Sequence, residues 1–212
     1  MSTLVLTPTK HAQLQSNLPN LNQSGDSLDV LAIRNQATVI LRHVLTFSLA
    51  SLPVGATVTS AKLYLYYFDL IGGGGLAFRV HKITQAWIES QVTWNSYSDN
   101  NRWVIPGGDF NPNYTQADAP DLFTSGLANT LDVLALFNWT EDVIADFIFK
   151  FVAETEISPG NSEYQWDTRL FFKNSPPKLY LIYEGPAPRS LDPGTKPAPT
   201  RTLTAERSLA IV

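Results

Sequence analysis

At 212 residues, with 44% hydrophobic and only 16% charged residues, the chain can bury a substantial core and is unlike a disordered segment. Its formal net charge is −4, and it carries no basic stripe interleaved with aromatic residues, which argues against a nucleic-acid partner. Cysteine is absent, which excludes disulfides and thiol nucleophiles, and no apolar run reaches the roughly 18 residues of a membrane span.

Residues 1–8 lack the basic and long apolar regions of a secretion signal, so export by that route is not expected of the chain as given. Residues 4–6 read as a short opening strand, and residues 10–26, polar and holding Pro19 and Gly25, as a loop. Residues 28–33 read as a strand. Residues 39–49 alternate, with Leu41, His43, Leu45, Phe47 and Leu49 on one face, which makes His43 a hydrogen-bonded histidine near the core edge rather than a ligand. His11 and His81 lie in other elements, and a metal cluster of the usual spacing is missing.

Residues 56–68 alternate with a period of two: Ala61, Leu63, Leu65 and Tyr67 on one side, Ser60, Lys62, Tyr64 and Tyr66 on the other. The glycine run 72–75 predicts a hairpin turn and residues 76–83 the returning strand. That strand leads into Trp87-Ile88-Glu89-Ser90-Gln91-Val92-Thr93-Trp94-Asn95. Two indoles flanking a carboxylate and a hydroxyl predict a corner in which Trp87, Glu89, Ser90 and Trp94 are structural.

A resemblance rests on this stretch. The pattern Leu45-x-Phe47-x-Leu49-x-x-Leu52-Pro53-x-Gly55-Ala56-x-Val58-x-Ser60-Ala61-x-Leu63-x-Leu65-Tyr66, followed by the Trp87 to Asn95 segment, resembles the DNRLRE-type β-sandwich domain, a family related to disaggregatase-type and some alginate-binding modules. Asn17-Leu18-Pro19-Asn20-Leu21-Asn22 and Pro176-Pro177-Lys178-Leu179-Tyr180-Leu181-Ile182-Tyr183 extend it over roughly residues 3–184. The resemblance implies a sandwich fold and a structural Glu89 or Ser90 bonding loop amides. It leaves function open among polysaccharide recognition, adhesion and viral particles.

Residues 95–125 form the longest irregular stretch, of the kind that often carries function. Tyr97, Trp103, Phe110 and Tyr114 are the candidate ligand-binding residues, an apolar platform for sugar rings or a protein partner; alternatively these rings pin the loop to the sandwich. Asp99, Asp109, Asp118 and Asp121 are solvated acids or contributors to a structural calcium site. Residues 130–143 have a mixed period, read as a short helix or a strand with a turn at 138–141, with Thr140 as an N-cap. Residues 146–154 alternate, Phe147, Phe149 and Phe151 inward, each worth roughly 1.5–3 kcal/mol when buried, so this strand should be central. A turn at 158–161 and closing strands at 163–172 and 178–184 follow, separated by Pro176-Pro177.

Beyond Gly185 the composition changes: prolines 186, 188, 193, 197 and 199 space a semi-extended tether. Residues 187–212 carry four basic and two acidic residues, +2, against 11 basic and 17 acidic, −6, through Pro186. The stretch ends in an apolar segment whose Leu203, Leu209, Ile211 and Val212 are candidate docking residues. Chemistry is thin. Glu154 with Glu156, or Glu89 between its indoles, are the only carboxylates with an enzymatic reading, and neither a phosphate loop nor a nucleophile elbow is present. The expectation is an all-β, antiparallel jelly-roll-like β-sandwich (1–185) with an extended Pro-rich C-terminal arm (186–212). It would be a non-enzymatic structural or adhesive module of a virion, as a phage head decoration or tail protein, or of an extracellular surface. Its partners would be other subunits of an oligomeric assembly and cell-surface polysaccharide, without nucleic acid, membrane span or cofactor. The alternative is a carbohydrate-binding module working through its aromatic loop residues.

Overall fold

The computed structural model describes residues 1–24, 30–36, 39–71, 78–117, 128–151, 162–167 and 176–185. These form β1 (Ser2–Leu6), β2 (Lys10–Gln15), β3 (Gln23–Ser24), β4 (Val30–Gln36), β5 (Val39–Ser48), β6 (Thr57–Ile71) and β7 (Phe78–Ile83). They continue with β8 (Ser96–Ser98), β9 (Asn101–Arg102), β10 (Phe110–Ala117), β11 (Ala128–Asp132), β12 (Ile144–Phe151), β13 (Ser162–Asp167) and β14 (Lys178–Glu184). A single 3-10 turn, Leu134–Leu136, is the only helical element among the described residues, and every strand pairing is antiparallel.

Two sheets face each other. One runs β1–β14–β6–β11 and the other β13–β4–β5–β12–β7–β10, with β2 and β3 added beside β5. The long β6 passes between them: its first part pairs β14 and its last residues pair β13. Alternation fills the space between the sheets with Leu45 and Phe47 of β5, Ala61, Leu63 and Leu65 of β6, Phe78 and Val80 of β7, Phe147 and Phe149 of β12, and Leu179 and Leu181 of β14. The Phe147 ring meets Phe47 edge-on at 5.8 Å and Phe137 at 4.9 Å, the geometry ring quadrupoles prefer. The Phe-rich strand is central as expected, lying between β5 and β7.

Several expectations are corrected. The strands on either side of the glycine run are not a hairpin: among the described residues β6 pairs β11, β13 and β14, while β7 pairs β12 and β10. Residues 10–15 are strand β2 rather than loop, because tertiary cover on both faces outweighs a polar composition: Ala12 and Leu14 are buried on one side and His11 on the other. The irregular stretch 95–125 contains β8, β9 and β10. Thr140 caps no helix; its amide and hydroxyl both donate to the Asn138 side chain in a tight turn. The glycines 72–75, Asp118, Asp121, Glu154, Glu156, the turn at 158–161 and the whole arm, including Leu203, Leu209, Ile211 and Val212, lie outside the described residues.

Candidate functional site

The sheet built on β5, β12 and β7 is covered on its outer face as well. Residues 84–109, joining β7 to β10, fold back over that face and form a second hydrophobic core. Ala12 and Leu14 of β2, Val44 of β5, Ile83 of β7 and Ile148 of β12 supply its floor, and Trp87, Val92 and Trp103 its roof. Trp94, Tyr97 and Phe110 pack at its margin. Consecutive residues such as Val44 and Leu45, or Phe147 and Ile148, are therefore all buried, which a half-exposed strand would not show.

Polar clasps hold this cap where periodicity does not. The Trp87 indole N–H donates to Asp146 Oδ1 at 3.2 Å, and the Thr46 hydroxyl donates to the same oxygen. Lys10 donates to the Trp87 carbonyl at 2.9 Å and lies 4.5 Å above the Trp87 ring. Glu89 accepts the His11 backbone N–H at 2.9 Å, so this carboxylate ties the corner to a strand amide. Asn22 donates to the carbonyls of Glu89 and Val92, and Asn95 takes a backbone bond to Pro19 and a side-chain bond to Asn20. The Trp103 indole donates to Thr93 O at 3.0 Å, and the Thr93 hydroxyl accepts the amides of Asn95 and Ser96. The roof closes at Gly107, whose φ of +93° and N–H bond to Trp94 O bring its backbone against Arg42, which donates to Gly107 O at 3.0 Å.

The buried ionisable groups follow from this packing. Burial raises the Asp146 carboxyl above its ordinary range, with the Thr46 and Trp87 bonds and the nearby Lys10 and Lys82 opposing. Asp146 lines a small cleft of about 140 Å³ together with Lys82 and Asp142, which are paired to each other at 2.7 and 2.8 Å. His43 is fully buried and stacked on His11, ring centroids 6.1 Å apart and 13° from parallel. Neither His43 ring nitrogen has a hydrogen-bond partner among the described residues, contrary to the hydrogen-bonded histidine expected from sequence. The strand turns the ring into the sandwich, opposite Phe149 of β12 and stacked on His11. Burial, reinforced by His11, holds its pKa well below the ordinary value. Burial also lowers His81, with Lys150 and Arg79 adding to the effect and the Asn111 carbonyl opposing it. No group of three or more metal-ligating side chains converges among the described residues.

At the margin of the cap lies a wider cleft of about 450 Å³, lined by Asn20, Gln91, Thr93, Ser96, Asp99, Asn100 and Arg102. Its walls are fixed from behind. Thr93 is held by Trp103, Gln91 accepts the Asp99 amide at 3.2 Å, and Asn20 accepts from Asn95 at 2.9 Å.

The four candidate ligand-binding rings separate into two pairs. Tyr97 and Trp103 are 5.4 Å apart inside the cap; Trp103 is 4% exposed and offers no face to a sugar. Phe110 and Tyr114 sit on β10 beside His81, at 4.5 and 5.4 Å. Phe110 lies against Arg42 and Lys150, and Tyr114, 44% exposed, carries the Arg79 guanidinium 4.0 Å from its ring. The rings thus pin the loop, and a shared platform of all four does not form. Asp109 accepts the amides of Val104 and Ile105 and so staples the loop. Asp99 lines the wide polar cleft, while Asp109 lies in a separate recess beside Val104, Ile105 and Phe110. Of the corner Trp87, Glu89, Ser90 and Trp94, the two indoles pack in or beside the second core and Glu89 bonds the His11 amide, whereas the Ser90 side chain makes no hydrogen bond among the described residues. Asn20, Gln91, Thr93, Ser96 and Arg102 were not singled out, and the polar spacing around two indoles was the available signal. No protein-family model and no curated protein matches the chain.

Proposed function

We propose that the protein is a non-catalytic adhesive module that takes a polysaccharide into the cleft between Asn20 and Arg102. The observation that carries this is the lining: three amides, two hydroxyls, one carboxylate and one guanidinium, with no apolar side chain among them. Sugar hydroxyls both donate and accept, and a wall of mixed donors and acceptors matches them where a charged or apolar wall would not. The volume falls within the about 300–1,000 Å³ of small-molecule sites. The resemblance to DNRLRE-type modules, some relatives of which bind alginate, points the same way.

The non-catalytic part rests on engagement. Glu89 is committed to the His11 amide, Lys82 to Asp142, and Asp146 to Thr46 and Trp87.

A glycan array covering neutral and acidic polymers, probed with the full chain, should show binding that Arg102→Ala and Asp99→Asn each abolish without changing the circular dichroism. Both side chains are exposed, so the fold does not depend on them. A blank array, or binding indifferent to both substitutions, refutes the assignment. Polymer cleavage lost in Glu89→Gln would refute its non-catalytic half. A second reading, a structural subunit of a larger assembly such as a virion, is favoured by a separate groove.

A further inference from the structure

The loop between β5 and β6 and the loop before β12 leave an apolar groove of about 260 Å³ between them. Leu49, Leu52, Pro53 and Trp139 form its floor and sides, and Val54 and Val143 stand on its rim, 97% and 73% exposed. The two loops are joined where the Leu49 amide donates to Val143 O; within the first, the Ala56 amide donates to Pro53 O, with Gly55 at φ +78° closing the turn. The volume lies just below the about 300 Å³ at which cofactor and small-ligand pockets begin, and suits a few aliphatic side chains.

We propose that this groove receives the apolar segment 203–212 of a second copy of the chain, so that neighbouring copies are joined by exchanged arms. Three observations favour that occupant. The segment supplies Leu203, Leu209, Ile211 and Val212, the aliphatic residues an apolar groove of this size takes. Its Arg201 and Arg207 complement Glu141 on the rim, where the neighbouring Asp142 is already neutralised by Lys82. Finally, Glu184 of β14 lies opposite Thr57, so the chain leaves the body beside Ala56, at the groove itself. Residues 186–202, as a proline-spaced tether at roughly 3.1 Å per residue, overshoot a groove that begins at their own root and suit one on a neighbour. The groove shares no residue with the polar cleft, so this inference stands apart from the sugar-binding function.

The 212-residue sequence is free of cysteine, which permits a direct test on the whole of it. Val143→Cys and Ile211→Cys, made in separate chains, are mixed and oxidised, and the products are separated by non-reducing electrophoresis. A mixed disulfide dimer should form in several-fold excess over the same mixture with Asn100→Cys replacing Val143→Cys. Adding Val54→Asp to the Val143→Cys chain should remove the excess while leaving the melting temperature unchanged. Equal yields from the groove and the Asn100 control would overturn the proposal. So would a doubly substituted chain that closes on itself as a monomer while the mixed dimer stays at the control level, for then the groove takes its own arm.

Discussion

The sandwich core and the core under the cap use the same central strands from opposite sides, but they are built by different rules. Between the sheets, Leu63, Leu65, Phe147, Phe149, Leu179 and Leu181 come from strands whose alternation alone places them inward. On the outer face, Trp87, Val92 and Trp103 come from a connection with no period, held in place by side-chain bonds from Lys10, Asn22, Arg42 and Asp146. The first core is redundant, many aliphatic and aromatic contacts each replaceable in part. The second depends on a few indoles and the polar groups that orient them. A periodic core should therefore fail as a whole, and a clasped one should open locally before the rest of the molecule does.

The largest break comes from the periodic side. Phe147→Ala removes a fully buried ring in contact with Phe47 and Phe137, and should cost about 3–5 kcal/mol of global stability in denaturant titration. A loss well below that range would mean the two sheets collapse around the cavity. Trp103→Ala should shift the global midpoint less. Its signature is local: amide exchange in residues 84–109 should accelerate while β12 amides stay protected. If both sets accelerate together, the cap and the sandwich are one cooperative unit and the contrast fails. A smaller effect, about 1–3 kcal/mol, is expected for Gly107→Ala. The added Cβ would sit 2.7 Å from Arg42 Nη1 and 2.8 Å from the Trp94 ring, on a backbone at φ +93°. Unchanged thermal stability in that variant would show that the roof can shift.

The same contrast explains what could be read from the amino-acid order. The inward faces of β5, β6 and β12 were legible because a period of two with Leu, Ala and Phe has one solution against a core. The second core was not, since burying Val44, Thr46 and Ile148 makes the outward positions of those strands interior too, and alternation carries no sign of a covering loop. The Trp87 to Asn95 corner could be recognised as structural from its paired indoles, but its partners lie in β2, the 16–22 connection and β12, far away in sequence. Strand β2 was hidden for a related reason: Lys10, His11 and Gln13 look like loop until Trp87, Glu89 and His43 are seen beside them. The cleft proposed to bind sugar is made of Asn, Gln, Ser and Thr, residues that any loop contains, and only their convergence distinguishes them.

The gentlest perturbation tests the boundary between the two cores, where β5 turns His43 inward onto His11. The folded protein keeps His43 neutral, because burial lowers its pKa, while the unfolded chain takes up a proton below the ordinary value of 6.5. The unfolded state then binds more protons, so this residue makes stability fall as pH drops from about 6.5 toward the lowered folded value. Asp146 acts in the opposite sense. Its raised pKa favours the folded state at acid pH, and that advantage is lost as pH rises from the ordinary carboxylate value of 3.8 through the folded one. His43→Leu replaces an imidazole with no hydrogen-bond partner among the described residues by an aliphatic side chain at a site beside Leu45 and Phe149. Removing an unsatisfied buried polar group should raise stability at neutral pH by about 1 kcal/mol and flatten the slope below pH 6.5. Denaturant midpoints measured from pH 5 to pH 8 decide it: a variant that loses stability at neutral pH, or keeps the parental acid slope, would place the acid sensitivity elsewhere than in the sandwich.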